Sequence, residues 1–173
     1  MKIWTVTASG TNSGLFLLNG IQIKAALGRG GVLPEAKKRE GDGATPLGRY
    51  VMRHVYYRED RGEAPTTRLP YRAIRPDDGW CDAPEDAAYN RPVRLPYPAS
   101  CETLMREDAL YDRIIVLGHN DDPPVSGRGS AIFLHCAKDN YAPTEGCVAL
   151  ARADLDDLLK QVRPGDSLDI IPG

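Results

Sequence analysis

Short apolar runs, separated by turn-forming residues, recur along most of the chain. In the N-terminal part these runs lie at residues 3–6, 15–18 and 21–25, and Asn19-Gly20 joins the second to the third. Alternation of apolar and polar residues is typical of strands, and Asn-Gly accepts the positive φ angles of a tight hairpin turn. The pattern therefore predicts three strands, of which the last two form a hairpin.

Further strands are predicted on both sides of a long irregular region. One strand is expected around residues 50–57, whereas residues 76–98, rich in Pro, Asp and aromatic side chains, are predicted to hold no regular element. Continuous apolar runs at 113–117 and 131–134 indicate buried strands, and residues 167–171 indicate a last strand.

Helical patterns are confined to two short segments. Ser100 is a suitable N-cap for a helix over 101–107, and apolar residues at helical spacing predict a second helix over about 153–162. Those apolar residues are Leu155, Leu158, Leu159 and Val162. The predicted fold class is mainly β (α+β), a β-sandwich or barrel with one or two short helices, in a single domain of residues 1–173.

Composition narrows the classes of function. The 173 residues are 42% hydrophobic and carry a net charge of −2, which gives no excess field for gripping nucleic acid or an anionic membrane. No apolar window approaches the roughly 20 residues of a membrane span, and residues 1–7 lack the apolar run of a secretory signal. A monomer is expected, working in the cytoplasm, leaving by an unusual route, or lacking a removed signal.

The four cysteines do not have the spacing of a metal knuckle. No C-x-x-C pair occurs among them, which argues against structural zinc. They are Cys81, Cys101, Cys136 and Cys147. A disulfide between Cys81 and Cys101 is compatible with an oxidising compartment, and the sequence does not decide whether it forms.

Candidate chemistry gathers near the C-terminal end of the chain. His119 and His135 each follow an apolar run, and Cys147 follows a glycine twelve residues after His135. A thiolate is a nucleophile, and a neighbouring imidazole is a usual means of activating it. From the residues alone, the simpler interpretation is a buried structural thiol and a hydrogen-bonded strand-end histidine, and a thiol nucleophile is the alternative.

Several motifs together resemble the YkuD-type L,D-transpeptidases, and in particular their compact single-domain bacterial branch. The signature of that family is a strand-end His followed by a Ser/Thr-x-Gly-Cys turn, and a separate Asp-Gly-x-Thr-Pro-x-Gly loop accompanies it. The segments that carry the resemblance are Phe133-Leu134-His135-Cys136-Ala137, Thr144-Glu145-Gly146-Cys147-Val148, Gly41-Asp42-Gly43-Ala44-Thr45-Pro46-Leu47-Gly48, Gly118-His119-Asn120-Asp121-Asp122-Pro123-Pro124 and Gly127-Arg128-Gly129-Ser130, with Trp80 and Tyr89-Asn90.

The resemblance implies a largely β-sandwich fold and a cysteine chemistry directed at peptidoglycan stem peptides. Cys147 would be the nucleophile and His135 its base, oriented by the backbone carbonyl of Cys136. The N–H groups of Gly146 and Cys147 would stabilise the oxyanion. A thioester would form at the L-centre of diaminopimelate, or at L-alanine for a 1,3-type cross-link, and an amine or water would resolve it.

The resemblance also implies a substrate groove and a cellular location. The sequence departs from the family pattern at two positions. Glu145 and Ala149 stand where many relatives carry His and Arg or Asn. The residues expected to contact the stem peptide are Trp80, Tyr89, Asn90, His119, Asn120 and Arg128. Action in the periplasm is expected, since the substrate lies outside the cytoplasmic membrane. No cofactor and no metal are expected.

Three other functions remain as alternatives. An L,D-carboxypeptidase or endopeptidase would share the thioester and use water as the acceptor. A metal enzyme would use His119, His135 and Cys147 as zinc ligands, although no local ligand pair supports it. A non-catalytic peptidoglycan-binding module would need neither the thiol nor the imidazole.

Overall fold

The computed structural model describes all 173 residues and is mostly β, as the sequence predicts. It contains thirteen strands, one α-helix and two single-turn 3₁₀ helices at Glu35–Lys37 and Glu59–Arg61. The strands are β1 Ile3–Ala8, β2 Ser13–Leu18, β3 Ile21–Ala26, β4 Val32–Pro34, β5 Thr45–Tyr57, β6 Tyr71–Ala73, β7 Asp78–Cys81, β8 Pro92–Arg94, β9 Cys101–Thr103, β10 Arg113–Leu117, β11 Phe133–Cys136, β12 Val148–Leu150 and β13 Ser167–Ile171, and the helix α1 is Arg152–Leu159.

The large sheet closes on itself into a barrel. Its strands follow the order β10-β11-β12-β3-β2-β1-β13-β5, and β10 also pairs with β5, which completes the ring. The predicted hairpin of β2 and β3 is confirmed, with Asn19 and Gly20 at φ 53° and 79°. Two pairs in the ring are parallel, β1 with β13 and β11 with β12. The strands β11 and β12 are therefore neighbours in the sheet, although residues 137–147 separate them along the chain.

The main core fills the barrel and takes in the helix. Leu155, Leu158 and Leu159 are fully buried there, together with residues from β1, β2, β5, β10, β11, β12 and β13. The helix spans Arg152–Leu159, within two or three residues of the predicted 153–162. The predicted amphipathic helix is therefore confirmed, because its three leucines share one face and that face packs against the core.

A second sheet and a second core lie outside the barrel wall. Strands β8, β7 and β9 form a three-stranded antiparallel sheet, which covers an apolar layer on the outer faces of β10 and β11. Alternate residues of β10 enter different cores, with Ile115 in the main core and Ile114 in the second. This two-sided burial explains the continuous apolar run of β10, because neither of its faces meets solvent.

Two predictions for this outer sheet were wrong. Residues 101–107 do not form a helix, since Cys101–Thr103 is strand β9, and the Ser100 carbonyl accepts a bond from the Asp82 N–H instead of Ser100 capping a helix. Residues 76–98 hold two strands, β7 and β8, where no regular element was predicted. Strands of three or four residues are too short for a readable period, and pairing with β7 outweighed local helix propensity in β9.

The limits of two other strands differ from the prediction by a few residues. Strand β5 begins at Thr45 rather than near residue 50, and β11 covers Phe133–Cys136 rather than 131–134. The second shift matters for function, because it places His135 inside a paired strand instead of beyond its end. No helix of the structure combines the length and apolarity needed to cross a membrane.

Two neighbouring leucines of β2 test the inward and outward alternation of the barrel. Leu18 is 5% exposed in the main core, whereas Leu17 is 48% exposed. We expect Leu18→Ala to lower the free energy of unfolding by about 2–5 kcal/mol through lost burial and an unfilled cavity. The matched variant Leu17→Ala should change it by no more than about 0.5 kcal/mol. Urea unfolding followed by fluorescence measures both, and equal losses would contradict this register.

Candidate active site

The parallel pairing of β11 and β12 brings the thiol and the imidazole to one place. Leu134 lies opposite Val148, so Cys147, one residue earlier, lies beside Phe133. The Phe133 N–H donates to the Cys147 Sγ at 3.3 Å, and the thiol donates to the Ala131 carbonyl at 3.2 Å. His135 shares a face of β11 with Phe133, because side chains alternate along a strand. The strand pairing therefore places Cys147 and His135 near each other in the sheet, and their roles in catalysis stay a prediction.

Both residues line one cavity of about 510 Å³ between the barrel and the loops around it. Its wall is of mixed character, with eight hydrophobic residues among twenty. The charged residues in the wall are Lys38, Glu40, Asp82, Glu102, Arg106, Lys138 and Glu145. A cavity of this size is suited to a small peptide segment, and charges of both signs suit a ligand with ammonium and carboxylate groups.

The imidazole of His135 is fixed by the backbone carbonyl of Cys136. Nδ1 lies 2.8 Å from that oxygen, so Nδ1 carries the proton and Nε2 is left as the basic nitrogen. Burial lowers the pKa of His135 to about 4, which keeps the ring neutral at ordinary pH. The Cys136 thiol points into the main core, as strand alternation predicts. The predicted contact is therefore present, and its catalytic use stays a prediction.

The Cys147 thiol is also neutral in this state. It is 7% exposed, and burial raises its pKa to about 12, with the negative charge of Glu102 adding to the effect. The site is thus a thiol beside a neutral imidazole, not a thiolate–imidazolium pair. A proton must move from sulfur to nitrogen before the sulfur can attack, and desolvation opposes that transfer until substrate arrives.

The turn before β12 is held by the Thr144 hydroxyl. It donates to the Cys147 carbonyl at 2.6 Å and accepts from the Gly146 N–H at 3.1 Å. Gly146 has φ 130°, and a Cβ there would lie 2.9 Å from the Ala44 carbonyl oxygen, so only glycine fits. The Gly146 N–H, predicted as an oxyanion donor, is engaged in this turn, whereas the Cys147 N–H donates to no group of the chain.

The loop of residues 41–48 supports this turn from the other side. The Thr45 hydroxyl accepts from the Gly28 N–H at 2.8 Å and lies 3.4 Å from the Cys147 carbonyl, to which it donates. Asp42 pairs with the buried Lys38 and accepts from the Ala44 N–H at 2.8 Å. The Asp-Gly-x-Thr-Pro motif therefore helps to position the turn that carries Cys147.

Asn90 links the outer sheet to the nucleophile. Its Oδ1 accepts from the Trp80 indole at 2.9 Å and from the Ala131 N–H at 3.0 Å, and its Nδ2 donates to the carbonyls of His119 and Asn120. All the hydrogen-bonding capacity of the buried amide is used. The Ala131 carbonyl accepts the hydrogen bond from the Cys147 thiol. The Asn90 amide holds the N–H of the same residue and therefore helps to fix that carbonyl in place.

The structure does not bring the six residues expected to contact the stem peptide to the cavity. Trp80 and Asn90 are buried in the network just described. Tyr89 donates to Glu40 and accepts from the Gly129 N–H. Three further side chains hold backbone carbonyls of nearby loops: His119 that of Arg128, Asn120 those of Val125 and Gly129, and Arg128 that of Ala36. All six shape the loops around the site instead of lining it.

His119 is consequently separate from the cavity that holds His135 and Cys147. The three ligands of the alternative zinc site are not gathered in one place. Of the described groups of His, Cys, Asp and Glu, none has the arrangement of a metal site.

Sequence reasoning missed the residues that face the imidazole. The Tyr111 ring packs edge-on against His135 with centroids 5.4 Å apart, and its hydroxyl donates to Glu102. The Arg106 guanidinium lies 5.2 Å from the Tyr111 ring centroid. Burial raises the pKa of both Tyr111 and Glu102. These residues belong to no motif, and Glu102 was placed in a helix that does not exist, so no local signal pointed to them.

The neutral state of the thiol can be tested by alkylation. We expect the rate at which iodoacetamide labels Cys147 to rise about tenfold per pH unit from pH 6 to 10, because the thiolate fraction grows in this way below a raised pKa. Mass spectrometry of the tryptic peptide 139–152 measures the labelling, and Cys147→Ala removes it. A rate that is level across neutral pH would reveal a thiolate–imidazolium pair and contradict the assignment.

Comparison with known proteins agrees with the geometry of the site. The sequence model of the YkuD family, described as the L,D-transpeptidase catalytic domain, matches residues 9–170. No curated protein and no solved structure matches the chain. The match covers nearly the whole sequence, including the His135 strand, the Cys147 turn and the loop of residues 41–48. The chain therefore belongs to the YkuD L,D-transpeptidase family, whose members act on peptidoglycan stem peptides.

Proposed function

We propose that this protein is a cysteine-dependent L,D-transpeptidase that acts on peptidoglycan stem peptides through a thioester on Cys147. The observation that carries the proposal is the shared cavity of Cys147 and His135, with the His135 Nδ1 held on the Cys136 carbonyl. Because that contact occupies Nδ1, Nε2 is the nitrogen free to act as a base. A binding module would need neither a basic nitrogen nor a thiol at this point.

The first step is a proton transfer from sulfur to imidazole. The thiol donates to Ala131 in the resting state, so it must rotate to present its proton to the His135 Nε2. The sulfur then attacks the carbonyl at the L-centre of the donor stem. The Cys147 N–H stabilises the charge on oxygen, and the Gly146 N–H can join it only by releasing Thr144.

Collapse of the tetrahedral intermediate completes acylation. The amine of the leaving residue takes the proton from the His135 imidazolium, the C–N bond breaks, and a thioester remains on Cys147. Burial favours this return of the proton, since a charged imidazole is unstable at a position where the pKa is about 4. The same desolvation that slows ionisation of the thiol therefore makes His135 a strong acid for the leaving group.

The second step releases the acyl group to an acceptor. An amine from another stem gives a cross-link at diaminopimelate or, in a 1,3-type link, at L-alanine, and water gives a shortened stem. The Glu102 carboxylate, bonded to Tyr111, stands in the cavity wall close enough to raise the pKa of Cys147. A negative charge there attracts the ammonium form of an amine acceptor, which gives a proton to the neutral His135 Nε2 before its nitrogen attacks the thioester, and this attraction favours transfer over hydrolysis.

We place the reaction in the periplasm, at the cell wall, because that is where the stem peptides of this family's chemistry are found. The protein works there as a monomer in this proposal, since one chain supplies the thiol, the imidazole and the whole cavity wall.

Single substitutions test the roles of the thiol and the imidazole. Cys147→Ala should abolish turnover because no thioester can form, and His135→Ala should lower kcat by at least about 10²-fold through loss of acid–base assistance. Purified protein is incubated with defined disaccharide–peptide monomers, and products and protein are weighed by intact mass spectrometry. A stem dimer with an acylated Cys147 is the expected result.

Matched variants separate chemistry from folding in this experiment. His54→Ala and, with wild-type and variant both reduced by dithiothreitol, Cys101→Ala remove the same groups away from the cavity and should retain near wild-type rates. Shortened monomers without dimers would assign water as the acceptor, making the protein a carboxypeptidase. Near-normal turnover in Cys147→Ala or His135→Ala would overturn the proposal.

A further inference from the structure

Cys81 and Cys101 lie directly opposite each other in the outer sheet. They are partners in the antiparallel pairing of β7 with β9. The Leu104 N–H donates to the Asp78 carbonyl, and the Asp82 N–H donates to the Ser100 carbonyl. Hydrogen-bonded positions alternate along an antiparallel pair, so Cys81 and Cys101 form a pair without backbone hydrogen bonds between them. Directly opposed residues at such a position have Cα atoms about 4.5 Å apart, which is within the roughly 4.4–6.8 Å that a disulfide spans.

The two side chains lie close together and differ in access. Both are free thiols here, Cys81 fully buried and Cys101 partly exposed. The Cys101 thiol lies 3.4 Å from the Ala99 carbonyl, and after burial the neighbouring Cys81 is the next cause that raises its pKa. Cys101 can therefore meet a reagent in solution, and Cys81 stands behind it as the only thiol able to resolve the product.

We propose that Cys81 and Cys101 form a disulfide that fixes one wall of the active-site cavity. The oxidant is a small or protein disulfide. The Cys101 thiolate attacks one of its sulfurs and releases one thiol, and the Cys81 thiolate then attacks the Cys101 sulfur of the mixed disulfide and releases the second. The two cysteines lose two protons and two electrons, and the oxidant disulfide is reduced to two thiols.

The residues that follow the two cysteines give the bond its significance. Asp82 and Glu102 each come directly after one of them, and both line the cavity. Residues 82–100, which the bond would enclose, also contain Asn90, whose amide fixes Ala131 beside the nucleophile. A covalent link at this point joins β7 to β9 more firmly than their few backbone bonds do, and it restricts the unfolded chain. This inference does not depend on which reaction Cys147 carries out.

The other two cysteines have no cysteine opposite them with which to form a disulfide. Cys136 is buried in the main core, and Cys147 lies in the cavity beside Phe133. Neither is a pairing partner of another cysteine in any sheet. The pair of β7 and β9 is thus the one position in the fold prepared for a disulfide.

Oxidation of the wild-type protein tests the pair directly. The full chain is incubated with oxidised glutathione, remaining thiols are blocked, and tryptic peptides are analysed by mass spectrometry. The four cysteines fall on separate tryptic peptides, 73–94, 95–106, 129–138 and 139–152. We expect peptides 73–94 and 95–106 to be joined, and the melting temperature to rise by about 5–10 °C, reversibly with dithiothreitol.

The matched variant is Cys101→Ser, chosen because this side chain is partly exposed and its loss leaves the buried Cys81 in place. It should fold and show neither the joined peptides nor the rise in melting temperature under the same oxidant. Three results would overturn the proposal: peptides that stay separate in the folded wild-type protein, a glutathione adduct on Cys101 that Cys81 does not resolve, or a joined protein that melts no higher than the reduced one.

Discussion

The chemistry of this molecule depends on the parallel pairing of β11 with β12. A parallel pair needs a crossover rather than a tight turn, and here the connecting residues 137–147 pass through the loops above the barrel and return with Cys147 at the start of β12. The register of that pair sets the sulfur against the Phe133 N–H, two residues from His135 on the same strand. The relative position of Cys147 and His135 is thus set by the hydrogen bonds of the sheet.

Burial of this pair has an electrostatic cost that the rest of the site offsets. A neutral His135 with a pKa of about 4, against an ordinary 6.5, is harder to protonate in the folded chain than in the unfolded one. Its contribution to stability is therefore complete above pH 6.5 and declines as the pH falls toward 4. The bonds from Thr45 and Thr144 to the Cys147 carbonyl, and from Asn90 to Ala131, supply the polar contacts that keep this desolvated site ordered.

Local patterns in the sequence singled out Cys147 and His135, which line one cavity, but not their surroundings. His135 and Cys147 belong to short motifs whose residue types and spacing are visible in the sequence itself, and Asn19-Gly20 identifies its hairpin turn in the same way. Tyr111 contacts the imidazole and Glu102 contacts the Tyr111 hydroxyl only through tertiary packing, and strands as short as β9 leave no period to read. The sequence singled out aromatic and loop residues, such as Asn90, as contacts of the stem peptide. In the structure their side chains form hydrogen bonds within the loops and the outer sheet instead.

The joint of the barrel ring beside Cys147 has the fewest paired strand residues. Each of the other seven joints pairs at least three residues, whereas strand β12 pairs with β3 through Ala149 and Ala26 alone, with backbone bonds of Thr144 to Leu27 and Arg29 just outside the strands. In a closed ring, the joint with the fewest paired residues separates at the lowest free-energy cost, while the remaining joints hold the cylinder together. The wall of the cavity that holds Cys147 therefore includes the joint of the barrel with the fewest paired strand residues, and the barrel can loosen there without losing its other seven joints.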